Sequence, residues 1–525
     1  MILMNKTLSK SPPLSLARPL RLFVLRLAHS RNLMALNNVP MIANTKSYTN
    51  AVMERLSRLQ TCFYFKRGEI EVLSSPSSFY NTLKEKILSA EERIFIASLY
   101  IGTSQQELMS CISTALDANP RLRVYFLVDG LRGTREAPGN CSASLLSKLV
   151  KKHNARVDVR LYRTPELTKI KESLIPKRFN EGIGLQHMKI YGVDDEVILS
   201  GANLSTDYFT NRQDRYYLFR SQLFANYYFK LHQLVSSMSY QVHYSESVQK
   251  FKMLWPRENV GVDPRLNRQK FLTSCSMALK DFLLKPTDSD AMQTNLSGDY
   301  KTVVYPISQF TPLFRGTKDY STEKVSILNL LSCIPNSSVT WTFTAGYFNM
   351  LSEIKDMLLN TPSRQGKVIT ASPQANGFFQ SKGISRHLPD AYLHLSHNFI
   401  KEVKECGRES QISLNEWRKG IVNTPNGWSY HAKGIWLSDS DTEDDRPAVT
   451  VIGSSNYTRR AYSVDLESNA VIVTKDSDLK DKMQEEVDNL MANTKVITTH
   501  NFEAEHERQV SLGVRVATKI VGKRL

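Results

Sequence analysis

Two histidines in this chain have a lysine two positions on: His187 with Lys189 in GLQHMKIYG, and His431 with Lys433 in SYHAKGIWLS. Extended backbone points residues i and i+2 to one face, so each pair presents an imidazole beside an ammonium. Both pairs are followed by a small-residue stretch ending in asparagine, SGAN at Asn203 and GSSN at Asn456. A carboxylate then stands eleven residues past each asparagine, Asp214 in the first case and Glu467 in the second. A lone H-x-K is a common accident of solvated strands, whereas two copies with the same followers in the same order point to a duplicated site.

Two imidazoles, two lysines and two asparagines brought to one pocket suit phosphoryl transfer. One imidazole can attack phosphorus and form a covalent intermediate, while the other protonates the departing oxygen and later takes a proton from the incoming hydroxyl. The lysines and asparagine amides stabilise charge developing on the phosphoryl oxygens without a metal. A carboxylate such as Asp214 or Glu467 can bond the other ring nitrogen of a histidine, fixing its tautomer and favouring imidazolium. The six cysteines are scattered with no C-x-x-C pair, so neither a zinc site nor a disulfide framework is expected.

The elements that must position these residues also come twice. Ser75-Pro76 opens a helical pattern (Phe79, Leu83, Ile87) leading into the strand-like RIFIASLYIG, and Thr322 opens a second (Val325, Leu328, Leu331) leading into SVTWTFTAGYFN. Each half then offers a short apolar strand, RVYFLVDG from Arg123 and KVITAS from Lys367. Past Asp214 and Glu467 come the strand-like YYLF and AVIV, and in the second half a helix with Leu479, Met483, Val487 and Leu490 on one face. The expected class is α/β, as two tandem units related by a pseudo-two-fold axis, at 55–285 and 298–525, joined by a polar linker at 286–297. Tyr100, Gly102 and Thr103 follow a buried-looking strand where α/β units often bind ligands, although an ordinary strand end is an equal reading. Ser98, Gly201, Tyr347 and Ser454 are grouped with them as candidate substrate-binding residues.

The net charge of +17 favours polyanions or anionic membrane surfaces as neighbours. Seven of the basic residues precede the first acidic residue, Glu54. Arg18, Arg21, Arg26 and His29 share one helical arc, opposite Leu20, Phe23, Val24 and Leu27. An acid-free amphipathic start of this kind has the pattern of a mitochondrial presequence, expected over 1–45; a disordered basic tail is the alternative. No apolar run reaches the roughly 20 residues of a membrane span, so contact with lipid is expected from the surface.

The motifs H187-M-K189-x4-D194 with S-G-A-N203, and H431-A-K433-x4-S438 with G-S-S-N456, resemble those of the phospholipase D superfamily. The surrounding text (PKRFNEGIGLQHMKIYG, SGANLSTDYFTNRQDRYY, FTAGYFN, NGWSYHAKGIW, GSSNYTRRAYSVDLESN) is similar to the fungal mitochondrial branch that makes phosphatidylglycerophosphate. This resemblance implies two units, each a mixed sheet flanked by helices, with the site between them. It implies transfer of a phosphatidyl group from CDP-diacylglycerol to glycerol 3-phosphate with release of CMP, at the inner membrane's matrix side and without nucleic acid. It further implies His187 as nucleophile and His431 as acid then base, each imidazole paired with the opposite half's carboxylate, Glu467 with His187 and Asp214 with His431. His187, Lys189, Asp194, Asn203, Asp214, His431, Lys433, Asn456 and Glu467 are the catalytic candidates. No cofactor is expected for the chemical step, with effects of a divalent cation on the donor diphosphate left open.

One departure stands out: the second motif has Ser438 where the first has Asp194. From the residues alone Asp194 could equally cap a hairpin turn. Asp439 could substitute in the second copy, but a one-residue shift in a strand reverses the side-chain direction. The acidic run DSDTEDD that follows is expected to be a solvated loop tip and no metal site. Competing functions are a nucleic-acid phosphodiesterase, a phosphatidylserine or cardiolipin synthase, and a catalytically dead lipid-binding scaffold. The intact pair of His-Lys-Asn sets speaks against the last.

Overall fold

The computed structural model describes residues 47–284, 298–335, 338–439 and 444–522. The expected presequence, the expected linker at 286–297 and the middle of the acidic run lie outside the described residues. Two nine-stranded mixed sheets form the frame, and their strand orders repeat one another. In the first, Arg93–Ser98, Arg123–Asp129 and Val157–Tyr162 run parallel, and the antiparallel strands Ile190–Val193, Glu196–Ser200 and Tyr216–Arg220 continue from Arg93–Ser98. In the second, Thr340–Ala345, Gln365–Ala371 and Ile412–Trp417 make the parallel trio, continued by Lys433–Ser438, Pro447–Gly453 and Glu467–Thr474.

The parallel strands need crossover helices, supplied in the first half by Gln106–Ala118 and Ser142–His153. These helices bury Leu108, Ile112, Leu116, Leu145, Leu146 and Leu149 on the sheet, since strands packed on both faces require apolar cover. Helix Pro76–Leu88 forms where its pattern indicates. The Ser75 hydroxyl accepts from Ser78 N at 3.1 Å, and Phe79, Leu83 and Ile87 are buried. Helix Ser477–Met491 buries the anticipated Leu479, Met483, Val487 and Leu490.

The helix after Thr322 is rotated relative to its expected face. Glu323, Ile327, Leu330 and Leu331 point inward, at positions i, i+4, i+7 and i+8, and Val325 is exposed. Thr322 does not cap with its side chain, because its hydroxyl accepts from Ser308 N instead. Strand Phe63–Lys66 pairs antiparallel with Tyr300–Gln309, on the edge of the second sheet, although it precedes the whole first sheet in sequence.

The opposed sheets share one core containing Met188, Tyr217 and Phe224 from the first half with Ile452, Ala470 and Met483 from the second. Arg215 locks them together. Its fully buried guanidinium donates to Lys433 O at 3.2 Å, Val451 O at 2.6 Å and Thr450 Oγ1 at 2.9 Å, pairs with Glu486 at 2.8 Å and stacks on Trp436. A charge buried this deeply is tolerable only when its donors are satisfied.

Candidate active site between the two sheets

The two histidines lie just before a strand, not within it: His187 precedes Ile190–Val193 and His431 precedes Lys433–Ser438. Each is carried on a segment that borrows hydrogen bonds from the other half. His187 N donates to Leu466 O at 2.9 Å, and His431 N donates to Gln213 O at 2.8 Å. Bridges Gln186 to Leu466 and Tyr430 to Gln213, both parallel, complete the exchange. The residue before each histidine is therefore stitched to the residue before the opposite carboxylate.

That stitching sets the geometry. His187 Nδ1 lies 2.9 and 3.1 Å from the two oxygens of Glu467, and His431 Nδ1 lies 2.7 Å from Asp214 Oδ2. A carboxylate on Nδ1 holds the proton there and leaves Nε2 for chemistry. Ser454 donates to Glu467 from behind. Gly201 occupies the equivalent place in the first half, where a Cβ would come within 2.6 Å of Asp214 Oδ1 and 3.1 Å of Lys433 Nζ. A side chain there would displace the Asp214 carboxylate.

Lys433 Nζ lies against the His431 ring, 2.9 Å from Nδ1 and 3.2 Å from Nε2, and Lys189 Nζ donates to His187 O at 2.7 Å. Burial pulls Lys189 down to about 7 and Lys433 to about 8, against the pull of Glu467 and Asp214 respectively. Burial raises Asp214 to about 6 and Glu467 to about 7, with the lysines opposing. Both imidazoles are pushed well below the usual histidine range, first by burial and then by the adjacent lysine. This environment favours neutral imidazoles. A bound phosphate diester or diphosphate supplies negative charge that raises them again.

The asparagines close the pocket. Asn203 Nδ2 donates to Tyr208 Oη at 3.1 Å, and that hydroxyl sits 3.2 Å from His431 Nε2. The Oδ1 atoms of Asn203 and Asn456 have no partner among the described residues, so each can accept from a donor group on a ligand. Tyr347 meets the His431 ring edge-on at 5.5 Å. Tyr100 holds Ser205 at 3.2 Å under the Arg132 guanidinium, and Gly102 allows close approach to Ser205, its N donating to Leu204 O at 2.7 Å. Ser98 donates to Tyr100 O at 3.0 Å and so shapes that loop from below. Thr103 is exposed on the turn.

Asp194 is not brought to this pocket. It sits in the hairpin turn at the far end of its strand with φ +48°, accepting from Glu91 N, Glu92 N and Arg93 N at 2.8, 2.8 and 2.9 Å. Ser438 does the same work in the second half, its hydroxyl accepting from Thr340 N at 2.9 Å at the start of the matching central strand. The carboxylate and the hydroxyl are thus equivalent anchors of the hairpin. Asp439 turns instead to Thr49, accepting from its hydroxyl at 2.7 Å. At the edge of the acidic run Asp444 pairs with Arg446 at 2.8 Å and Asp445 with Arg364. No group of three or more acidic, histidine or cysteine side chains able to hold a metal occurs among the described residues.

Several supporting residues carried no signal in the motifs. Asp129 accepts from Leu131 N, Arg132 N and Gln186 N at 2.9, 2.7 and 2.9 Å, and buried Gln186 spans Ser98 O and Met188 N, fixing the backbone around His187. Arg212 stacks on Tyr208 and pairs with Asp207 at 2.6 Å beside His431. At the corresponding offset from Asn456 stands Asp465, paired with Arg460 at 3.0 Å on the His187 side. The spacing from each asparagine could have flagged Arg212 and Asp465 together, but their opposite charges hide the correspondence.

Two copies of one mixed sheet, each giving a histidine, lysine and asparagine and each lending its carboxylate to the other's histidine, make a phospholipase D-like fold. No family model matches the chain. A solved phosphatidylserine synthase from Haemophilus influenzae has the same fold, with a TM-score of 0.66 over 90% of this chain and 97% of that chain at 20% identity. CDP-diacylglycerol–glycerol-3-phosphate 3-phosphatidyltransferase of Saccharomyces cerevisiae is 56% identical over 484 residues, 91% of this chain and 92% of its own length. The Schizosaccharomyces pombe protein of that name is 39% identical over 88% of this chain, and the human one, named as mitochondrial, is 33% identical over 87%. The chain belongs to the family of CDP-diacylglycerol–glycerol-3-phosphate 3-phosphatidyltransferases.

Proposed function

We infer that this chain transfers the phosphatidyl group of CDP-diacylglycerol to glycerol 3-phosphate, giving phosphatidylglycerophosphate and CMP. Its family membership supports that reaction. For the chemical course, the observation that carries the reading is the crossed pairing of each imidazole with the other half's carboxylate. In the first step His187 Nε2 attacks the phosphatidyl phosphorus and the P–O bond to CMP breaks, with His431 giving its proton to the departing oxygen. Glu467 takes up the positive charge that develops on His187 through Nδ1–H. In the second step the glycerol 3-phosphate hydroxyl gives its proton to His431 and attacks phosphorus, the P–N bond breaks and His187 is restored. Lys189, Lys433 and the asparagine amides hold the non-bridging oxygens throughout.

In this reading the chemical step needs no cofactor beyond these side chains. The mitochondrial names of the animal relatives support a mitochondrial location, and within it our reading puts the basic chain at the matrix face of the inner membrane. The protein meets an anionic lipid surface there and has no nucleic-acid partner. Among the described residues no helix is long and apolar enough to cross a membrane. Labelled CDP-diacylglycerol tests the chemistry. His431→Asn should accumulate a phosphatidyl-enzyme and turn over slowly, whereas His187→Asn should form none. Label mapped to His431 in the unaltered protein would reverse the two roles.

A further inference from the structure

The donor's acyl chains stay in a bilayer, so the pocket must be brought to a lipid surface. Two amphipathic elements, one from each half, expose apolar side chains. The C-terminal helix Leu512–Val521 turns Val514 and Thr518 toward the body and leaves Leu512, Val516 and Ile520 outward, 75%, 52% and 73% exposed. Positions i, i+4 and i+8 form a single stripe, and Arg515 and Lys519 flank it on one side. In the first half, Ile170 and Leu174 on helix Lys169–Leu174 and Phe179 on the next short helix are 72%, 76% and 55% exposed.

Both elements are tied to the catalytic segments. Gly522 O accepts from Asn349 Nδ2 at 2.7 Å, and Asn349 is two residues from Tyr347, whose ring abuts His431. Glu181 O accepts from Arg460 Nη2 at 2.8 Å, Arg460 pairs with Asp465, and Leu185 N donates to Asp465 at 3.0 Å two residues before His187. Each stripe is thus linked by hydrogen bonds to residues that neighbour one of the two histidines. By sequence, 168–180 holds four basic residues and one acidic, and 511–522 holds two basic residues and no acidic one. Exposed apolar groups bordered by cations match the acyl boundary and anionic headgroups of a bilayer better than a neutral protein surface.

We propose that Leu512, Val516 and Ile520, with Ile170, Leu174 and Phe179, form a docking surface that seats this protein on an anionic lipid bilayer with the paired-histidine pocket facing the headgroups. The proposal rests on the phosphatidyl-transfer reading for its choice of partner. The test uses the full chain and vesicles of phosphatidylcholine alone or mixed with an equal amount of phosphatidylglycerol. The triple variants L512D/V516D/I520D and I170D/L174D/F179D should each bind mixed vesicles at least about tenfold more weakly, since every substitution removes a group able to enter the acyl boundary. Binding by the unaltered protein should weaken with added salt and on neutral vesicles. Activity on vesicle-borne CDP-diacylglycerol should fall in parallel, while activity on a water-soluble short-chain donor stays within about twofold. A control variant of the exposed Leu223 and Val248, L223D/V248D, should bind as the unaltered protein does. Unchanged vesicle binding by both triple variants would overturn the proposal. So would an equal loss on the short-chain donor, or a smaller sedimenting mass in either variant, which would name a second copy as the occupant. If the unaltered protein converted neither donor, the transfer reading would fail while the binding comparison still decided the docking surface.

Discussion

Glu467→Gln keeps the size of a fully buried side chain and one oxygen for the Ser454 hydroxyl, but removes the negative charge facing His187 Nδ1. During attack by Nε2 the imidazole ring becomes positive, and the carboxylate is what the ring proton meets. A hydrogen bond to a charged partner contributes about 1.5–3 kcal/mol, so the variant should form phosphatidyl-enzyme roughly 10- to 150-fold more slowly. The pH dependence supplies a second readout. Burial raises Glu467 to about 7, so in the unaltered enzyme the step should accelerate as pH rises through about 7 and the carboxylate ionises. Glu467→Gln should lose that inflection. Rapid-quench measurement of the CMP burst, with CDP-diacylglycerol and no acceptor, isolates the step. A burst of normal rate in Glu467→Gln, or one slowed instead by Asp214→Asn with Glu467→Gln spared, would refute the crossed assignment.

The remaining expectations concern the other carboxylates. Asp214→Asn, which removes the charge 2.7 Å from His431 Nδ1, should keep a CMP burst but slow transfer from the phosphatidyl-enzyme to glycerol 3-phosphate by about ten- to a hundredfold, read by single-turnover chase. Glu323 is fully buried, and burial with the nearby Glu467 charge raises it to about 8, above its ordinary value of 4.5. The folded state therefore binds a proton that the unfolded state releases, so this stability is full below about 4.5 and is lost as pH rises toward 8, by at most about 1.4 kcal/mol per pH unit. Denaturant midpoints for Glu323→Gln should lack that decline, and an identical slope in both proteins would rule the account out. Asp194→Ala strips three backbone amides of their acceptor and should cost about 1–3 kcal/mol of stability while leaving kcat unaltered. A selective fall in kcat with unchanged melting would return Asp194 to the catalytic set.

Much of this protein was legible because its signals are local. The helix at Pro76–Leu88 is written in Ser75-Pro76 and the spacing of Phe79, Leu83 and Ile87, and the helix at Ser477–Met491 in four apolar residues one turn apart. The duplication was legible too, because histidine, lysine, asparagine and carboxylate recur in the same order, with eleven residues from asparagine to carboxylate in both copies. Where the local pattern was ambiguous it misled: Val325 was expected inward, yet the helix face is chosen by the sheet beneath it, which takes Glu323 and Ile327.

What the tertiary structure decided are the partnerships. No spacing rule says that Gln186 bridges to Leu466, that Arg215 ends among Val451, Thr450 and Glu486, or that Phe63–Lys66 joins a sheet built mainly of residues beyond 298. Nor could it say that Asp194 and Ser438 perform one task, because a carboxylate and a hydroxyl look alike only once both are seen accepting from the amide that starts a central strand. The physical reason is common to all of these. Helix and strand patterns arise from dihedral preferences and burial within a few residues, so the sequence writes them side by side. Hydrogen-bond partners across two packed sheets are selected by which surfaces fit together and by the need to satisfy every buried polar group, and that choice exists only when the whole chain has folded.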